Sequence, residues 1–263
     1  MTTKLGRLAK ATSVDDVLTN VAQIIDWASK EGSPIGYFAV VYQRVTLAVQ
    51  KAIKTPKKFE DPALVAKLDV GFAQRYFSAL NGFFYPNAVG GLTLPWEVAF
   101  VGALDKQAII LQHLLIAFNA HISFDLGMAC CTVAPTPAAL NALKGDFDRV
   151  NEILAAQIPG IVDVLQKLSP ELVWTRRLIP DELRVFNGML ENMRRGAWLF
   201  AVYMVMHRDD ADQKRVRQEA EAAVLNTWYL QAPERCSPLP ALIRGIAEHE
   251  SHDVAENMKA LQK

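Results

Sequence analysis

Apolar residues recur along this chain at intervals of three and four. In the first such stretch Val14, Val17, Leu18, Val21, Ile24 and Ile25 share one side of a helix that turns about 100° per residue. The same period predicts helices over about 14–30, 34–55, 62–84, 96–104, 106–131, 137–157, 181–208, 211–231 and 238–261. No convincing run alternates with period two, and no Asn-Gly hairpin turn separates two β-like runs. Residues 35–50 carry enough β-branched and aromatic side chains for a strand, but their length and Ser-Pro start favour a helix. The expected fold class is all-α.

Punctuation agrees with the periodicity. Five times a small capping residue stands directly before proline, at Ser33-Pro34, Asp61-Pro62, Thr136-Pro137, Ser169-Pro170 and Ser237-Pro238. Proline suits the first helical position, where its missing N–H costs nothing, and the residue before it caps the orphan N–H groups. No linker, low-complexity tract or repeat divides the chain, so residues 1–263 are expected to form a single all-α domain, a multi-helix bundle.

Composition narrows the function classes. The formal net charge is zero, which supplies no bulk attraction for nucleic acid or an anionic membrane. No apolar core of signal-peptide length precedes the first acidic pair, so the expected location is the cytoplasm. The most apolar windows, 108–118 and 196–206, are about half the roughly 20 residues of a membrane-spanning helix; they are expected to be buried core helices. Cys130, Cys131 and Cys236 do not have the number or spacing of a disulfide framework or zinc knuckle. No nucleotide-binding glycine loop, dinucleotide fingerprint or Gly-x-Ser-x-Gly elbow is present, so no nucleotide cofactor is expected.

Candidate chemistry sits in Phe-Asn-Ala-His-Ile-Ser-Phe-Asp-Leu, residues 118–126. With Asp105 as cap of a helix to about Cys131, Gln107, His121 and Asp125 fall within roughly one 40° sector, Gln112, Asn119 and Ser123 form another, and His113 lies apart. Since the rest of this helix is apolar, both polar stripes are expected to face inward, where polar groups must be paired or bound. Three alternatives stand for His121 and Asp125. They form a core hydrogen bond, an imidazole oriented by a carboxylate for acid–base work, or part of a divalent-metal site. Neither Glu-x-x-His pairs nor a His-Glu-x-x-His motif supports the metal.

Other ionisable residues are weighed against simpler roles. His249, His252, Asp253 and Glu256 share a face opposite Ile243, Val254, Met258 and Leu261, the pattern of an amphipathic helix with its polar side in water. His207 is expected to end a helix. Arg195 precedes an apolar run, with Trp198, Leu199, Val202 and Tyr203 near its face, so it is expected to be drawn inside toward a carboxylate or an anionic substrate. Arg75 lies among aromatics with Asp69 six residues upstream, and a purely structural ion pair is the alternative for either arginine.

The run from Leu111 to Cys131, followed by Leu140 to Leu154, resembles the domain of unknown function 5995 family. There an Asn-Ala-His-Ile-x-x-Asp-Leu block precedes an Asp-Phe-x-x-Val-Asn block. Residues 94–100 and 194–201 are similar to its tryptophan and arginine–tryptophan blocks, and the resemblance covers about 69 to 206. It implies a helical protein and no particular reaction. Ser123 stands where the family block is expected to hold asparagine. The second block adds Asp146, Arg149 and Asn151; Gly145-Asp146 suggests a helix restart capped by Asp146, with a reach to Arg195 or His121 as the alternative.

The expectation is an internal, mostly apolar pocket with a polar floor of His121, Asp125 and Asn119, and with Arg195, Asp146, Arg75, Tyr203 and Trp198 around it. The expected function is an enzyme of cyclase, isomerase, lyase or hydrolase type acting on a small, largely apolar metabolite. His121 would be its acid or base, Asp125 would orient His121, and Arg195 would hold an oxyanion or carboxylate. A metal-dependent enzyme using His121 and Asp125 and a non-catalytic apolar-ligand-binding protein are the alternatives.

Overall fold

A computed structural model describes residues 3–88, 91–105, 107–174, 182–236 and 238–262. The elements are α1 (Val14–Glu31), α2 (Ile35–Ile53), α3 (Pro62–Phe84), α4 (Leu94–Gly102), α5 (Ile110–Phe118), a π-helical segment (Asn119–Leu126) and α6 (Gly127–Val133). They continue with α7 (Pro137–Ala155), α8 (Ile158–Leu168), a 3₁₀ turn (Pro170–Trp174), α9 (Glu182–Met206), α10 (Ala211–Leu230), α11 (Leu239–His249) and α12 (Val254–Leu261). No strand occurs among the described residues, and the fold is an all-α multi-helix bundle. Residues 35–50 are helical.

Two of the capping residues act through their side chains: Asp61 accepts from the N–H of Leu64 and Thr136 from that of Ala139. Pro34 itself flanks α2 without a side-chain cap, Ser169 opens only the 3₁₀ turn, and Ser237 lies outside the described residues. Three boundaries depart from the periodicity. Helix α8 fills 158–168, a stretch for which the periodicity predicts no helix; proline sits in its first turn, and a Cβ at Gly160 would meet the guanidinium of Arg44. The predicted 238–261 helix breaks into α11 and α12, because Glu250 turns inward to accept from the Ile110 N–H at 2.7 Å and from the Ser169 hydroxyl. The 106–131 helix starts only at Ile110, while Asp105 accepts from the N–H of Gln107 in the preceding turn.

From Ile110 to Val133 the chain is one continuous helical rod of 24 residues. It is long and apolar enough to cross a membrane, but 78% of its apolar 18-residue stretch is buried inside the fold. Helices α2, α3, α4, α9 and α10 pack around it. The contact with α9 is close: a Cβ on Gly127 would lie 2.8 Å from the Ala197 carbonyl oxygen. One apolar cluster runs from Leu5 near the start of the chain to Leu261 near its end and takes in most of this rod, while Phe124 joins Phe200 and Ala222 in a smaller one.

Candidate functional site

The central rod carries two polar stripes, and their fates differ. Along one, Gln112 donates to the carbonyls of Tyr229 and Leu230 at 2.7 and 3.0 Å, and its Oε1 accepts from the Ile109 N–H. Asn119 donates to Ala222 O and Asn226 Oδ1 and accepts from the Ser123 hydroxyl, while Asn226 donates onward to Pro95 O. Each amide is satisfied, so this stripe bolts α10 to the rod and to α4. Asn119 therefore faces away from His121.

The second stripe holds His121 and Asp125, 2% and 1% exposed. Asp125 is the hub: its Oδ1 accepts from Arg75 Nε at 2.8 Å, and its Oδ2 accepts from the Trp96 indole N–H at 2.6 Å. The Arg75 guanidinium also lies 5.4 Å from the Phe124 ring. His121 Nδ1 is 3.3 Å from Asp125 Oδ2, a long bond. A carboxylate paired with guanidinium only accepts, so this contact needs the proton on Nδ1 and leaves Nε2 with a free lone pair. The segment's π-helical winding is a form that recurs at functional sites.

Nε2 of His121 is buried without a hydrogen-bond partner. Its ring stacks on Phe72 at 3.5 Å and 8°, and meets Phe38 and Tyr42 edge-on at 5.5 and 5.1 Å. His121 lines an internal cavity of about 80 Å³ between α2, α3, α7, α9 and the π segment, whose walls include Val45, Val49, Val65, Leu68 and Ile122. That is room for roughly half a dozen waters or a molecule of a few heavy atoms. Tyr42, Asp69 and Arg194 also line it. The Tyr42 hydroxyl and Asp69 Oδ2 are, like Nε2, buried with no partner. An unmet buried polar atom costs about 1–3 kcal/mol, and three of them belong to residues lining one small cavity.

Burial sets the protonation of these groups. It lowers the proton affinity of His121, against the hydrogen bond and charge of Asp125, so the imidazole is held neutral. Asp69 as a residue is only partly buried, but its Oδ2 is shielded from water, and that burial pushes the carboxyl up to about 7. The Tyr42 phenol is raised well above its ordinary range, first by burial and then by the charge of Asp69. A neutral imidazole and a carboxyl that keeps its proton near neutrality thus share the cavity, the pairing that acid–base chemistry needs.

The other expected site residues disperse. Arg195 is exposed on α9, and its neighbour Arg194 points inward instead, 4% exposed. Trp198 packs on Phe147 at 4.8 Å, and Tyr203 packs on His207 at 4.6 Å just beyond the end of α9; neither lines the His121 cavity. Asp146 is buried in the middle of a continuous α7, so it does not cap its own helix. It accepts from the N–H groups of Glu60 and Asp61, both at 2.8 Å, and pairs with Arg149, which locks α7 to the start of α3. His249, His252, Asp253 and Glu256 are exposed.

Asp69, Tyr42 and Arg194 are the cavity residues that the sequence leaves unmarked as a site. Their signal is faint: a single carboxylate in the face Val65, Leu68, Asp69, Phe72, and a single phenol in Phe38, Val41, Tyr42, Val45, Val49. Helical spacing gives both faces as ordinary core.

The hub does not suit a divalent cation. Both Asp125 oxygens already accept from N–H donors, one of them cationic, and among the described residues no three His, Cys, Asp or Glu side chains converge. Cys130 and Cys131 are free thiols that burial pushes up to about 12 and about 11, so they stay protonated.

Residues 14–230 match the family described as a family of unknown function (DUF5995), and the chain belongs to that family. No curated protein and no solved structure matches it.

Proposed function

We propose that this chain, a member of the DUF5995 family, is an enzyme that moves protons on a small, largely apolar molecule held in the His121 cavity. The observation that supports this is the unpartnered Nε2 of a buried histidine whose other nitrogen faces Asp125. A histidine serving only to tie two helices together would have its second nitrogen paired as well.

In this reading His121 Nε2 takes a proton from the substrate, and the positive charge that develops is stabilised by Asp125. Arg75 and Trp96 fix the Asp125 carboxylate, so it orients the imidazole without leaving its place. Asp69, protonated near neutrality, returns a proton at another atom or to a leaving group. Transfer at two points of an apolar substrate is isomerase, cyclase or lyase chemistry. A hydrolase would also need a placed water.

The test is deuterium incorporation. Small carbonyl and unsaturated metabolites incubated with the protein in D₂O should gain deuterium by mass spectrometry. His121→Gln should lower that rate by about 10²–10⁴-fold. Undiminished exchange in the variant would sink the role of His121. The apolar walls equally support a non-catalytic carrier, and bound ligand that never exchanges would favour it.

A further inference from the structure

We propose that the ligand is a carboxylate, held by the guanidinium of Arg194 with its apolar part in the His121 cavity. This rests on the cavity being the ligand site of the enzyme proposed above.

Arg194 is 4% exposed. Its Nε donates to Asn151 Oδ1, and its guanidinium carbon sits 4.8 Å over the Phe147 ring. Among the described residues no carboxylate lies within ion-pair distance of it. The contrast with its neighbours is sharp: Arg75 has Asp125, and Arg149 has both Asp146 and Glu60. A guanidinium carries five N–H donors in a rigid fork, and a buried charge without an opposite partner is costly. Burial pushes this one down to about 10, and the more distant Asp148 charge offsets it only in part. A missing anion accounts for the arrangement.

Position identifies that anion as a ligand. Arg194 and Leu154 belong both to the cavity wall and to a groove of about 770 Å³ lined by Asn151 and Trp198 and by charges of both signs, Lys144 and Arg195 with Asp148 and Glu152. The guanidinium therefore joins the groove to the cavity that holds His121. One planar cation matches one two-oxygen anion, and the remaining walls are mostly aliphatic and aromatic. Asp69 does not forbid an anion, since its carboxyl can stay protonated near neutrality. The class that fits is a short aliphatic monocarboxylic acid, entering through the groove with its carboxylate stopping at Arg194.

The experiment is calorimetric titration of the full chain near pH 7 with butyrate, hexanoate and octanoate, each against its primary amide. At least one acid should bind, and its amide should bind about tenfold more weakly or worse. Arg194→Met should lose the acid by a similar factor, while Arg217→Met, an exposed arginine of α10 away from the groove, binds as the wild type does. Equal binding of acid and amide, binding retained in Arg194→Met, or no binding by any of the three acids would overturn the proposal. If Arg194→Met does not fold, as judged by its thermal transition, the acid-to-amide comparison on the wild-type chain decides alone. Carboxylate binding without deuterium exchange would remove the acid–base reading and leave this one standing. Exchange on neutral molecules with no preference for carboxylates would do the reverse.

Discussion

Asp125 and His121 face each other at 3.3 Å across one turn of the π-helical segment, yet only the carboxylate is fully held. Arg75 and Trp96 fix both its oxygens, whereas the imidazole has this single long contact and an unmet Nε2. The two residues therefore separate under mutation.

Asp125→Ala should cost about 3–5 kcal/mol of stability, because it leaves the Arg75 charge and the Trp96 N–H without their acceptor. His121→Phe should fall within about 1 kcal/mol of the wild type or exceed it, since it keeps the stack on Phe72 and removes an unpaired polar atom. Urea unfolding of the two variants measures both. A loss in His121→Phe as large as that in Asp125→Ala would make the histidine a structural bolt.

Asp69 should give stability a pH dependence of definite sign. Its carboxyl titrates near the ordinary 3.8 when unfolded and is pushed up to about 7 by burial in the fold. Between those values only the folded chain keeps the proton, so this group's contribution falls as pH rises from about 4 to about 7 and is level above. Burial of neutral His121 acts oppositely, its contribution being lost as pH falls below the unfolded value, and it is common to both proteins compared. The thermal midpoint of Asp69→Asn should gain on that of the wild type across the same window, then hold a constant lead. A difference that does not change with pH would show that the Asp69 carboxyl is not shielded from water at Oδ2.

Gly127 should tolerate no side chain. A Cβ there would lie 2.5 Å from a ring carbon of Phe200 and 2.8 Å from the Ala197 carbonyl oxygen, and the backbone of α9 cannot swing aside as a flexible side chain could. Gly127→Ala is expected to cost about 1–3 kcal/mol and to loosen the cavity wall that α9 supplies through Arg194. Guanidinium unfolding checks the first. Amide hydrogen exchange of α9 checks the second.

The sequence displays the helices well where local chemistry decides them. Asp61 and Thr136 cap as their Asp-Pro and Thr-Pro pairs suggest, and the stripes of Gln112, Asn119 and Ser123 and of His121 and Asp125 diverge as helical spacing requires. Spacing does not reveal which stripe is satisfied, because the acceptors of the Asn119 amide lie more than 100 residues away on α10. It also misplaces the arginine of α9 by one position, which is 100° of turn. Leu199 and Met206 are apolar yet 61% and 58% exposed, and they draw the apparent inward face toward Arg195. The buried line is Arg194, Ala197, Phe200, Ala201 and Val205. Breaks such as Glu250 answer to tertiary hydrogen bonds that no local pattern announces.

As a neutral base His121 carries its free lone pair on Nε2, and ¹⁵N NMR of the imidazole nitrogens across pH 5–8, assigned with His121→Gln, reads this out. The expected result is a protonated Nδ1 and an unprotonated Nε2 that persist to a pH below the ordinary histidine value of about 6.5. An imidazolium at pH 6.5, or a proton resident on Nε2, would contradict it.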